Sequence, residues 1–107
     1  MKIVKVDDEC IMFEYGSTIS FDHEQNWCEY NYAWFQALDD IALQTDFNLE
    51  EIKFELVQDF GFRFGNVPNK MFFVPCYSHN NGYYSTDLSI FFNGKCVLEI
   101  TDCPIEE

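Results

Sequence analysis

Apolar and polar residues alternate over most of the chain, in short runs broken by turn residues, and this pattern predicts strands. Lys2 to Val6 and Cys10 to Tyr15 are two such runs, separated by the acidic turn Asp7-Asp8-Glu9. Gly16-Ser17 breaks the chain before Thr18 to Phe21, where Ile19 and Phe21 alternate with polar neighbours. Further on, Ile52, Phe54 and Leu56 alternate with Lys53, Glu55 and Val57. Phe60, Phe62 and Phe64 alternate with Gly61, Arg63 and Gly65, which predicts three phenylalanines on one face of a strand. Lys70 to Val74 continues the pattern and ends at Pro75. Asn93-Gly94 lies between the apolar runs Leu88–Phe92 and Lys95–Ile100. That dipeptide predicts a hairpin, because a type I′ turn needs positive φ at both central residues.

One segment changes period. Trp34, Ala37, Leu38 and Ile41 recur at three- and four-residue spacing, which predicts a helix over about residues 33–44. Its inner face would carry Trp34, Leu38 and Ile41, and its outer face Gln36, Asp39 and Asp40. Asn48 is expected to cap a short helical turn through Glu50 and Glu51. Many strands, short links and one principal helix predict an α+β fold, mainly antiparallel sheet. With no repeat, low-complexity tract or linker, residues 1–107 read as a single domain.

Composition narrows the class of partner. Twelve Phe, six Tyr and two Trp in 107 residues exclude a disordered chain. Nineteen Asp and Glu against six Lys and Arg leave a formal charge of −13. That surplus argues against direct nucleic-acid binding and against anionic membranes, since both need cationic surface. No apolar run approaches a membrane span, and the N-terminus carries no apolar signal-peptide core. Five cysteines (Cys10, Cys28, Cys76, Cys96 and Cys103) include no CxxC pair. Together these features predict free thiols in a reducing cytoplasm. Cys10 and Cys96, inside apolar strand patterns, are expected to be buried.

Two polar stretches carry the candidate chemistry. The first, His23-Glu24-Gln25-Asn26-Trp27-Cys28-Glu29-Tyr30, sets His23, Cys28 and Glu29 close together. The second runs from Val74-Pro75-Cys76-Tyr77 through His79 and Asn81-Gly82 to Tyr83-Tyr84-Ser85, and reads as a loop entering the last hairpin. If the two meet, His23, Cys28, Glu29, Cys76 and His79 would form a small-ligand or metal site. Missing zinc-type spacing favours a structural role for His23, Cys28 and Cys76, with no metal and no cofactor. Cys76 with His79 invites a nucleophile–base reading, but three-residue spacing in a turn does not ensure the geometry catalysis requires, and no phosphate loop, dinucleotide fingerprint or HExxH motif is present. A non-enzymatic protein is expected. Tyr77, Tyr83 and Tyr84 would suit a protein-binding surface, where tyrosine is enriched.

The same stretches resemble a family of small phage and bacterial domains of unknown function. His23 to Glu29 is similar to that family's H-x-Q-D-C-C-E segment, with Asn26 and Trp27 where the family has Asp and Cys. Val74-Pro75-Cys76-Tyr77 and Asn81-Gly82-Tyr83-Tyr84-Ser85 are similar to its second hallmark, a Cys-Tyr pair before N-G-Y-Y-S. The resemblance implies a small cytoplasmic accessory protein of phage or mobile-element origin.

Charge then suggests the partner. Asp39, Asp40, Glu50 and Glu51 form the densest acidic stretch, and a surface so negative is steered toward basic grooves. Nucleic-acid-handling proteins own such grooves. The expectation is an acidic inhibitor or nucleic-acid mimic, anti-CRISPR-like, bound to a basic host protein. The bland alternative is that the charge keeps a Phe-rich chain soluble.

Overall fold

Period-two alternation produces nine strands among the described residues. The computed structural model describes residues 1–22, 30–58, 60–66, 70–79, 87–101 and 103–104. The strands are β1 (Ile3–Val6), β2 (Cys10–Phe13), β3 (Thr18–Asp22), β4 (Tyr30–Ala33), β5 (Lys53–Val57), β6 (Gly61–Asn66), β7 (Lys70–His79), β8 (Leu88–Phe92) and β9 (Lys95–Ile100). They form a five-stranded sheet in the order β1-β2-β3-β8-β9 and a four-stranded sheet in the order β4-β7-β6-β5. Every ladder is antiparallel, as the expected fold class requires.

Turn chemistry sets the registers. Asp7 accepts hydrogen bonds from the backbone N–H groups of Glu9 (2.8 Å) and Cys10 (2.9 Å), closing the β1–β2 hairpin. Asn93 and Gly94 have φ of 53° and 80°, as a type I′ turn demands, and Leu88–Phe92 pairs with Lys95–Ile100. The Asn93 side chain also accepts from the Thr18 N–H (3.0 Å), which ties this turn to β3. Gly61 answers a different need. At φ of 153°, a Cβ there would lie 2.2 Å from the Val74 carbonyl oxygen, so only glycine lets β6 approach β7 this closely.

The core lies between the sheets. Ile11, Phe13, Ile19, Leu88, Ile90 and Ile100 come from the larger sheet, and Phe62, Phe64, Val74 and Cys76 from the smaller. Phe47 joins the two: its ring meets Phe13 on one side and Phe64 and Phe72 on the other. Phe54 of β5 meets Phe92 of β8 at 5.7 Å and closes the β5–β9 side.

Four local expectations are corrected. The segment 33–44 is not one helix. Ala33 ends β4, a 3₁₀ turn covers Phe35–Ala37, and the α-helix α1 spans only Asp40–Leu43. Strand alternation persists through this segment's start, so Asn31, Ala33 and Phe35 are buried while Trp34 is 48% exposed. Leu38 and Asp39 are both extended, which separates the two helical pieces, and Asp39 caps α1 by accepting from the Ile41 N–H (2.9 Å). The buried residues are then Phe35, Leu38 and Ala42, and Ile41 is 63% exposed.

Secondly, β7 does not stop at Pro75 but runs on to His79, so Cys76 and Tyr77 belong to a strand and not to a loop. Pro75 costs the ladder little because Cys76 donates to Phe60 (2.9 Å) and the Pro75 carbonyl accepts from Trp34 (2.8 Å). Thirdly, Phe60 leaves the phenylalanine face: its N–H closes a turn onto Val57, and it is 62% exposed. Finally, Cys96 is exposed and Cys10 only half-buried. A register shift between Ile90 and Phe91 pairs Cys96 with Phe91, away from the inward-facing Ile90. The buried thiols are Cys76 and Cys103.

Candidate functional site

Strand parity decides which aromatics reach the surface. Tyr32 and Trp34 alternate with buried Asn31, Ala33 and Phe35, so they share the outer side of the smaller sheet's β4 edge. Tyr77, paired with Tyr32, completes a cluster: ring centroids lie 5.8 Å from Tyr32 and 6.3 Å from Trp34. Facing this edge is the β1–β2 turn. Asp8, Tyr32, Ala33, Trp34 and Phe35 together line a hollow of about 270 Å³. A second hollow of about 220 Å³, lined by Val6, Phe35, Gln36, Leu38, Asp40 and Leu43, adjoins it through Phe35. The result is a strip of aromatic and aliphatic surface with a carboxylate in each half and, among the described residues, no Lys or Arg in its lining.

The neighbouring carboxylates have different duties. Asp7 is consumed by the turn: backbone N–H groups of Glu9 and Cys10, and Lys5 at 3.4 Å, hold its carboxyl below the ordinary aspartate range. Asp8 is exposed and enters no ion pair among the described residues. Asp39 spends one oxygen on capping α1, while Asp40, Glu50 and Glu51 are exposed. Asn48 accepts from the Glu50 N–H (3.1 Å), so the expected cap is present on a simple turn.

The expected site residues thus fall into three groups. Asp39, Asp40, Glu50, Glu51 and Tyr77 lie on described surface. Cys76 is fully buried, and burial with the neighbouring Cys103 thiol pushes its own thiol far up, so it stays protonated and unreactive. His23, Cys28, Glu29, Tyr83 and Tyr84 lie outside the described residues, as does the side chain of His79. The strands flanking those segments are nevertheless neighbours at both ends. Asp22, before the first segment, pairs with Ser89, and Tyr30, after it, pairs with His79, which precedes the second. A buried polar contact braces that end: Ser78 donates to Asn31, and Asn31 donates to the Asp87 carbonyl (2.8 Å).

Comparison with known proteins finds no family model, no curated protein and no solved structure that matches the chain. Asp8, Tyr32 and Trp34 were not among the residues that the sequence singled out. The signal is legible afterwards as Tyr30-Asn31-Tyr32-Ala33-Trp34, aromatic at every second position; the helical reading of Trp34 hid it. Among the described residues no three His, Cys, Asp or Glu side chains converge as a metal site, and no helix is long and apolar enough to cross a membrane.

Proposed function

We propose that this is a small, non-enzymatic, acidic interaction protein, encoded by a phage or similar mobile element and acting in the cytoplasm. It binds the basic groove of a host nucleic-acid-handling defence protein, as an inhibitor or nucleic-acid mimic. One observation carries the reading: a net charge of −13 on a folded chain, with Asp39, Asp40, Glu50 and Glu51 all at its surface. Such a field speeds encounter with a cationic groove and repels nucleic acid itself. The resemblance of its polar motifs to small phage and bacterial domains supports the setting. Capture from host lysate at low and high salt, followed by competition with duplex DNA, tests the proposal. A nucleic-acid-binding partner that is released by both salt and DNA is expected; a partner indifferent to both would refute mimicry.

A second reading has one observation in its favour. The paired strands flanking residues 23–29 and 80–86 suit a small-ligand or metal-binding module that uses the His23–Glu29 and Cys76–Ser85 stretches. The burial of Cys76 counts against that thiol's part in it. Elemental analysis of protein purified without chelator separates the readings: one zinc per chain would favour the module.

A further inference from the structure

We propose that the hollow between Asp8, Tyr32 and Trp34 is a seat for an arginine side chain of the basic partner, an inference that rests on the partner being cationic. Trp34 is the first ground. A tryptophan is ordinarily spent on the core, yet this one keeps 48% of its surface exposed, its ring beside Tyr77 and its backbone N–H donated to the Pro75 carbonyl. The second is the shape of the site. Two outward rings, Tyr32 on the edge strand β4 and Trp34 just past its end, wall a hollow of about 270 Å³. The third is charge: Asp8 lines the same hollow, and among the described residues it enters no ion pair and has no Lys or Arg beside it in the lining.

Arginine fits this combination better than lysine. Its planar guanidinium stacks on an aromatic face, tryptophan best of all, while its edge presents paired N–H donors to a carboxylate. An ammonium offers a point charge that is more strongly hydrated and cannot stack. The adjoining hollow with Val6, Leu38, Leu43 and Asp40 continues the surface, so flanking apolar and basic residues of the partner have a place to lie. The whole-molecule charge brings a basic segment near; this hollow would choose arginine within it.

The test uses defined probes on the full chain: hexa-arginine and hexa-lysine peptides of equal charge, titrated by calorimetry at low salt. Hexa-arginine is expected to bind about five-fold tighter or more. Trp34→Ala should erase that preference and leave both peptides at the lysine value, Trp34→Phe should keep part of it, and Asp8→Asn should reduce it. Asp39→Asn with Asp40→Asn should weaken both peptides equally. Thermal melts of each variant check folding, and half-exposed Trp34 is a safe position to truncate. Equal binding of the two peptides to the wild-type protein would overturn the arginine seat while leaving the charge-driven function standing. An arginine preference that survives Trp34→Ala would also overturn it. Failure of both peptides to bind would sink the seat and the basic-partner reading together.

Discussion

Gly61 and Gly94 both occupy positive φ, yet for different reasons, and substitution should separate them. A Cβ added at Gly94 would meet no atom within 4 Å, so Gly94→Val meets only backbone strain and should cost about 1–2 kcal/mol. Gly61→Ala drives a methyl into the Val74 carbonyl and should cost about 3 kcal/mol or more, because β6 must move off β7. Urea denaturation of both variants checks the order; a milder effect at Gly61 would mean the close approach is not needed. Cys76 gives a second residue-scale outcome. Its folded-state thiol sits above the ordinary value of 9.0, so folded and unfolded chains bind the same proton below that pH. Above it the unfolded thiol ionises while the folded one stays protonated, so stability falls with rising pH by about 1.4 kcal/mol per unit from this group. Cys76→Val should flatten that alkaline loss. In the native protein iodoacetamide should reach exposed Cys96 well before Cys76 or Cys103.

At the scale of elements, the hairpins were legible and the helix was not. Turn residues report themselves: Asp7, Asn93 and Gly94 do what their side chains or backbones favour wherever the chain places them. The 33–44 segment has two possible periods, and its spacing matches a helix from Trp34 to Ile41. What overrides it is the β4–β7 ladder, in which Ala33 pairs with Cys76 and commits the chain to strand parity through Phe35. The candidate strip exists because of that override, since a helix facing inward with Trp34 would have buried the indole. Asp39 offers a test with a built-in contrast. Asp39→Asn keeps an N-cap acceptor and should leave stability within about 0.5 kcal/mol, while Asp39→Ala loses it and should cost about 0.5–1 kcal/mol. Equal melts for the two would mean the cap contributes nothing to so short a helix.

Charge and core act on the whole molecule. With Asp39→Asn tested alone for folding, neutralising Asp39 and Asp40, or Glu50 and Glu51, should slow association with a basic partner and flatten its salt dependence. The same change at Glu106 and Glu107, which lie outside the described residues, is the matched comparison. Stopped-flow rates over a range of salt decide it: equal effects from all three pairs would show that the charge works only in bulk. The core depends on one ring more than others. Phe47 comes from the link between α1 and β5, yet it packs on Phe13 of one sheet and on Phe64 and Phe72 of the other. Phe47→Ala should cost about 3–5 kcal/mol, because it opens a cavity that both sheets line. A cost below about 1 kcal/mol in urea would show that the sheets collapse onto each other without it.

Most of the strands, the hairpin turns and the sign of the surface can be read along the chain, because alternation, turn chemistry and charge are local or additive properties; β4 and the far end of β7 cannot, because their residues read as loop or helix until the two strands pair. Parity put Phe62 and Phe64 on one strand face, which is the buried one, and their charge put Asp40, Glu50 and Glu51 at the surface. Only the tertiary structure decided which sheet each strand joins, since the neighbours β3 and β8, or β4 and β7, are far apart in the chain. It also decided that Cys76 is interior, on a strand that runs on past Pro75, and that Cys96 is exterior, through a register shift that leaves no mark in the pattern of residues. The hollow of Asp8, Tyr32 and Trp34 belongs to this second kind. It is built by the β1–β2 turn and the β4 edge, two segments more than twenty residues apart, brought together by the packing of two sheets on one core.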